Sequence, residues 1–222
     1  MIKEEVKLVS ITPQAEETIA YCARVSNPSN QDNPNSFGLL SYCVKNGHWS
    51  IFEQANMVLE INTCRAVAPQ ILRHRSFSFQ EFSQRYSIAD GFVVHHARRQ
   101  GKTNRQTSTD DLDKSTQNWF IQSQNKIWQL AYTEYKEALE KEIAKESARA
   151  LLPLNTATRL YMNGTIRSWI HYIQLRTEVD TQFEHRRIAE QCRVIFLQQM
   201  PQISKALNWE LTAKKACEGS HR

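Results

Sequence analysis

Polar and apolar positions alternate across residues 3–11, with Val6, Leu8 and Ile11 apolar, and that period of two predicts an opening strand. Thr12-Pro13 followed by Glu16-Glu17 has the form of a helix N-terminus, with proline near the first turn and carboxylates facing the dipole. That helix turns Ile19, Ala20, Cys22 and Ala23 inward and stops before Asn27-Pro28, where SNPSNQDNPNS reads as a loop. A second helix over 36–46 buries Phe37, Leu40 and Val44 and ends at Gly47. Residues 57–61 read as a strand, after which Asn62 or Thr63 caps a helix carrying Val67, Gln70, Ile71 and His74 on one face. Pro69 lies inside it, so the helix is expected to bend or to begin late. A long helix is predicted over 112–147, with Trp119, Ile127, Trp128, Leu130, Tyr135 and Leu139 among many polar residues. It is long and has no complete partner within the chain, so part of it is expected to pack on another subunit. TATRLY (156–161) predicts a strand that Asn163-Gly164 turns. From Thr165 a helix carries Ile166, Trp169, Ile170 and Ile173 on one face and Arg167 and His171 on another, and Arg176 closes it. A last helix spans 180–199 and stops at Pro201. No strand leads into a Gly-x-Gly-x-x-Gly turn. The expected fold is α+β, with mixed helices and an antiparallel-type sheet in one domain with a long helical lobe, and not a Rossmann domain.

Composition narrows this to a folded domain. The chain has 222 residues, 41% hydrophobic and 23% charged, which are globular values. One domain is expected over 1–216, with a tail at 217–222. No apolar run has membrane-spanning length and the N-terminus lacks a signal-type apolar region, so the expected location is cytoplasmic, with no membrane partner. The five cysteines are widely spaced, without Cys-x-x-Cys, and fit neither a disulfide framework nor a zinc site. None has an evident activating histidine or arginine, although Cys64 precedes Arg65. A net charge of +5 and a pI near 9.0 permit nucleic-acid binding without requiring it. The arginines cluster at a few places instead of forming a stripe, which favours small anions.

The densest cluster is Gln70–Tyr86. Arg73, His74 and Arg75 stand in a row, followed by Glu81, Ser83 and Arg85. An isolated Arg-x-Arg is ordinarily a solvated turn. Here Phe77, Phe79, Phe82 and Tyr86 interleave the cations, which argues for a half-buried surface facing a ligand. Guanidinium forks suit phosphate, and a serine hydroxyl with turn N–H groups completes a phosphate cradle. Arg73 and Arg75 would diverge by about 200° on a regular helix, so a helix ending between them would let both address one ligand.

Arg73-His74-Arg75, seven residues, Ser83 and then Arg85-Tyr86 resembles the signature of the flavin-dependent thymidylate synthases. His48-Trp49-Ser50-Ile51-Phe52-Glu53 is similar to a second family landmark, and Ala148-Arg149 before Leu152-Pro153-Leu154-Asn155 to a third. The similarity runs from Ala23 to Arg176. It implies that Arg73, His74 and Arg75 bind FAD, with Arg73 also reaching dUMP. Gln70, Ile71, Leu72, Glu81, Phe82, Ser83, Gln84 and Arg85 would line the nucleotide, with Arg149 on its phosphate. His48, Ser50, Glu81, Thr165, Ile166, Arg167 and His171 would be further flavin contacts. Arg176 would be catalytic, lying against the uracil and stabilising its ionised form. The implied reaction is methylation of dUMP to dTMP, with methylenetetrahydrofolate as carbon donor and NADPH as reductant, in a homotetramer with no metal. The family often has asparagine where Thr165 and His171 stand, and a histidine where this chain has Asp180.

Two other readings predict different behaviour. A basic nucleic-acid-binding module would be colourless and bind polynucleotides with steep salt dependence. A silent flavoprotein would keep FAD without dUMP-dependent turnover. The basic stretch His95-His96-Ala97-Arg98-Arg99, with Lys102 and Arg105, is either a solvated connection or a lid, and its paired histidines lack metal-ligand spacing.

Overall fold

In the computed structural model, residues 1–210 are described; the expected tail at 217–222, with Cys217, lies outside them. Four strands form one antiparallel sheet in the order β1 (Glu5–Ile11), β2 (Asn56–Cys64), β6 (Ala157–Thr165), β3 (Ser78–Glu81). A small hairpin pairs β4 (Arg99–Gln100) with β5 (Ser108–Thr109). The helices are α1 (Ala15–Ala23), α2 (Phe37–Lys45), α3 (Ala68–Ile71), α4 (Lys114–Glu140), α5 (Lys145–Ala148), α6 (Ile166–Arg176), α7 (Phe183–Gln199) and α8 (Pro201–Ala206). This is the α+β, antiparallel, single-domain class expected.

The sheet's inner face carries Met57, Leu59 and Ile61 of β2 and Leu160 and Met162 of β6, all fully buried. Alternate β2 residues turn outward, where Glu60 accepts from Tyr161 Oη at 3.0 Å. Helix α6 lies on the inner face through Ile166, Trp169, Ile170 and Ile173, the stripe its periodicity predicts. Burying each of these side chains stabilises the fold by about 2 kcal/mol. Trp169 donates its indole N–H to the Met57 carbonyl at 2.9 Å, so its polar atom is also satisfied. Helix α7 closes the layer with Ile188, Cys192 and Phe196.

Several expectations need correction. The helix expected from Asn62 or Thr63 is strand as far as Cys64, because β2 pairs on both sides and its ladder with β6 runs to Cys64 opposite Ala157. The helix does begin late, at Ala68, with Pro69 in the first turn, where its missing N–H costs nothing. It ends at Ile71, before both Arg73 and Arg75. Asn163-Gly164 makes no turn, since both residues stay in β6 opposite Val58 and Met57. The glycine answers a close approach instead: a Cβ at Gly164 would meet the Phe77 ring at 2.4 Å. The long helix stops at Glu140, where Glu142 takes a φ of 61°, and resumes as the short α5. The last long helix starts at Phe183, and Pro201 opens α8 as well as ending α7.

Asp113 caps α4 by accepting from the Thr116 N–H at 2.9 Å. Tyr135 and Ala138 of α4 form a second small core with Ala89 and Ala148, while Trp119, Ile127 and Leu130 remain exposed. Cys43, Cys64 and Cys192 are buried and Cys22 is half-buried, and none of the four is in a disulfide among the described residues. Among the described residues, no helix is long and apolar enough to cross a membrane.

Candidate active site

The Arg73-His74-Arg75 triplet lies in a turn between α3 and β3. His74 N–H donates to the Ile71 carbonyl at 3.1 Å and Phe77 N–H to the His74 carbonyl at 3.2 Å, which coils the segment back on itself. Phe77 then inserts edge-on against Trp169, 4.9 Å between ring centres, and against Tyr172 at 5.9 Å. Ser168 Oγ donates to the Ser76 carbonyl at 3.2 Å, a second tie to α6. This anchoring drives His74 inward, 9% exposed, and leaves Arg73 and Arg75 outside.

Helix α6 runs from this anchor to Arg176. Thr165 ends β6 and caps α6, accepting from the Ser168 N–H at 3.2 Å. At the other end Arg176 Nε donates to His74 Nε2 at 2.9 Å. That bond requires a lone pair on Nε2, so His74 is neutral with its proton on Nδ1. Burial, then the charges of Arg176 and His171, push the His74 pKa down to about 4. Behind it Tyr172 Oη is 3.1 Å from His185 Nε2. His185, fully buried, is pushed down to about 3 by burial first and by Arg176 and His74 after it. Arg176 is thus held by one neutral acceptor. Among the described residues, no carboxylate pairs with it, nor with Arg73, Arg75 or Arg149.

A second group gathers beyond β3. Arg65 donates to Glu81 at 2.8 Å and to the Phe82 carbonyl at 3.1 Å, and Thr158 Oγ1 donates to the same Glu81 oxygen at 2.9 Å. Glu81 is therefore occupied in holding the strand end. The chain then turns about Ser83, whose carbonyl accepts from Tyr86 and Ser87 and whose hydroxyl accepts from the Arg85 N–H at 3.3 Å. Phe82 is half-buried; Gln84 is buried, and its amide nitrogen has no partner among the described residues. Arg85 pairs with Glu146 at 2.9 Å, and Arg149 Nε donates to the Glu146 carbonyl at 3.2 Å, so both guanidinium groups come to one acidic residue.

A third group sits at the start of α6. Arg167 pairs with Glu53 at 2.5 Å, and Ile166 N–H donates to the Ala55 carbonyl at 2.9 Å, docking the 49–53 turn on the helix. His48 and Ser50 are exposed there, His48 edge-on to Tyr42. Ile166 is fully buried, so its side chain belongs to the core. His171 is exposed one turn beyond Arg167. Arg167 and Arg176 stand near opposite ends of α6, about 14 Å apart along its axis, and the triplet's segment runs alongside the helix between them. Gln70 reaches Gln182, while Ile71 is buried and Leu72 exposed.

One cluster escaped sequence reasoning. Cys64 does have a histidine: its Sγ is 3.2 Å from His95 Nε2, and His95 Nδ1 is 3.4 Å from Glu184 Oε1. Nothing in the local pattern around His95 signals this, because the three residues come from a strand end, a loop and the first turn of α7. The stretch at 95–105 is accordingly anchored at His95 and built into a hairpin farther on.

The family model for thymidylate synthase complementing protein, Thy1, matches residues 7–202. The chain belongs to the Thy1 family. A flavin-dependent thymidylate synthase of Synechocystis is 55% identical over 209 residues, covering 94% of this chain and 97% of the relative. A probable flavin-dependent thymidylate synthase of Paramecium bursaria Chlorella virus 1 is 52% identical, covering 91% of this chain and 98% of that protein. Among solved structures, the Thy1 fold seen here is similar to a UMP/dUMP methylase, PolB, of Streptomyces cacaoi. The form bound with 5-Br UMP superposes with a TM-score of 0.84 at 26% identity, over 94% of this chain and 95% of that one. The form bound with 5-Br dUMP gives 0.82.

Proposed function

We propose that this Thy1 protein methylates dUMP to dTMP, with FAD as cofactor, NADPH as reductant and methylenetetrahydrofolate as carbon donor. Arg176 carries the reading: a guanidinium without a carboxylate partner among the described residues, aimed by a neutral histidine. Methylation at C5 of uracil requires negative charge on the N3/O4 side of the ring. A fixed guanidinium stabilises that charge as it develops and needs no reorganisation, which is the largest catalytic term in many enzymes. His74 occupies Nε and thereby presents the two terminal nitrogens of Arg176 as a fork.

The residues fit a dinucleotide cofactor. Arg73 and Arg75 are exposed, lack carboxylate partners among the described residues and stand beside the buried His74, which suits a pyrophosphate. With Ser50, Arg167 and His171 they would hold FAD. When bound, FAD supplies the redox chemistry that reduces the transferred one-carbon unit. Ser83, Arg85 and Arg149 would take the nucleotide phosphate. The spread of these groups along and beyond α6, and the exposed Trp119, Ile127 and Leu130 of α4, support assembly of each site from several copies in a homotetramer. A cytoplasmic location fits such a reaction.

The visible spectrum of the purified protein tests this. A flavin band that NADPH bleaches, with dTMP formed once dUMP and methylenetetrahydrofolate are added, is expected. A protein that stays colourless after incubation with FAD would refute it. UMP should be assayed beside dUMP, because the similar Streptomyces protein is named for both.

A further inference from the structure

The Cys64–His95–Glu184 cluster does not end at Glu184. Its second oxygen, Oε2, accepts from Gln182 Nε2 at 2.8 Å, and Gln182 Oε1 accepts from Gln70 Nε2. His95 is itself clamped to α4: its N–H donates to Gln124 Oε1 at 2.9 Å, and its carbonyl accepts from Gln124 Nε2 at 2.8 Å. Cys64 is fully buried and Glu184 is 7% exposed. The result is a continuous line of side chains from the end of β2, through a loop and the start of α7, to α3.

Direction along this line is set at the carboxylate. Hydrogen bonds to Cys64 and Glu184 raise the His95 pKa to about 10, so an imidazolium donates from both nitrogens. Burial works against ionising Glu184, but the bonds from His95 and Gln182 hold it down to about 2. Glu4 and Arg187 also face the cluster, with opposite charges. An ionised carboxylate can only accept. Gln182 must therefore turn its amide nitrogen toward Glu184 and its carbonyl toward Gln70. Gln70 in turn must donate, and among the described residues its own carbonyl, Oε1, has no donor. An amide is otherwise ambiguous end for end; here a charge two residues along the line selects one orientation.

We infer that Glu184 and Gln182 are positioning residues for the nucleotide, holding the Gln70 amide so that its carbonyl accepts from a donor on bound dUMP, with His95 and Cys64 fixing Glu184 in turn. The inference rests on the dUMP reading of the site. It adds to that reading a specificity element 112 residues away from Gln70 in sequence.

Steady-state dTMP formation by the FAD-loaded enzyme tests it through Glu184→Gln, Gln182→Ala, Gln70→Ala and the Gln70→Ala/Gln182→Ala pair. Gln182 is half-buried in a loop, so its truncation keeps the test open if Glu184→Gln folds poorly. Gln182→Ala and Glu184→Gln are each expected to raise KM for dUMP about tenfold while kcat stays within about twofold, the scale of one misdirected hydrogen bond. In the Gln70→Ala background, Gln182→Ala should change KM no further, because its effect acts through Gln70. An unchanged KM in Gln182→Ala would overturn the inference, as would effects that multiply in the double variant. A wild-type protein that binds FAD but neither binds nor turns over dUMP would overturn this inference together with the functional reading beneath it.

Discussion

Acidification should unfold this protein from beneath Arg176, and the size of the effect follows from two histidines. His74 and His185 have ordinary values of 6.5, lowered to about 4 and about 3 in the fold. Between pH 6.5 and 4.5 the unfolded chain protonates both while the folded protein protonates neither. Stability then rises with pH by about 1.4 kcal/mol per unit for each histidine, and is lost in the same measure as pH falls. Glu16 opposes this. Burial raises it to about 7, against the pull of the Ile203 N–H at 2.6 Å, so over that range the folded state holds one more proton there. Two histidines against Glu16 leave a net loss of about 3 kcal/mol from pH 6.5 to 4.5, which Glu4, also raised by burial, trims toward the acid end. Above pH 6.5 the sign reverses, because His95 keeps its proton up to about 10 in the fold and its contribution is lost as pH rises toward that value. Stability is therefore expected to peak near neutrality. Urea unfolding at half-unit pH steps measures the slope. His185→Gln, which keeps an acceptor for Tyr172, should flatten the acid limb by about 1.4 kcal/mol per pH unit. The same acid slope in that variant as in the wild type would refute the argument, since the difference removes every other titrating group.

Three further outcomes are expected. Gly164→Ala should destabilise by about 1–3 kcal/mol through the Phe77 ring, and Phe77→Leu should recover part of the loss in a thermal melt. Arg75→Ala should lose bound FAD, read from the flavin band of the purified protein; full occupancy would assign the exposed arginine to another task. Arg176→Ala should retain FAD yet oxidise reduced flavin in response to dUMP at least about a hundredfold more slowly, on the scale of a lost preorganised donor. Unchanged kinetics would remove Arg176 from the mechanism.

What could be read in advance was local. The α6 stripe, its Thr165 start and its Arg176 end all lie within one stretch of a single period, and the helix formed as written. Gly47, expected to end α2, does so with a φ of 69°. Strand β2 extends past its pattern because its β6 neighbour pairs with it as far as Cys64. Gly164 misled because its reason is a ring on another strand's approach, whereas Asn-Gly more often marks a turn. The same limit applies at the candidate site. Arg73-His74-Arg75 announces its chemistry in sequence, but only the packing of Phe77 on Trp169 sends the histidine inward to meet Arg176. The histidine beside Cys64 was invisible for the same reason, since no local period joins residues 64, 95 and 184.

The passage from β6 to α6 sets where this chain can change length. Thr165 is the last residue of the strand and the cap of the helix, with no spacer between. One inserted residue there would rotate α6 by about 100° against the sheet and carry Arg176 off His74. The tip of the β4–β5 hairpin bears no such phase relation, and doubling a surface loop costs only about 0.6 kcal/mol in closure entropy. A reporter domain or affinity handle therefore belongs near Lys102–Asn104, while the strand-to-helix junction admits neither insertion nor deletion.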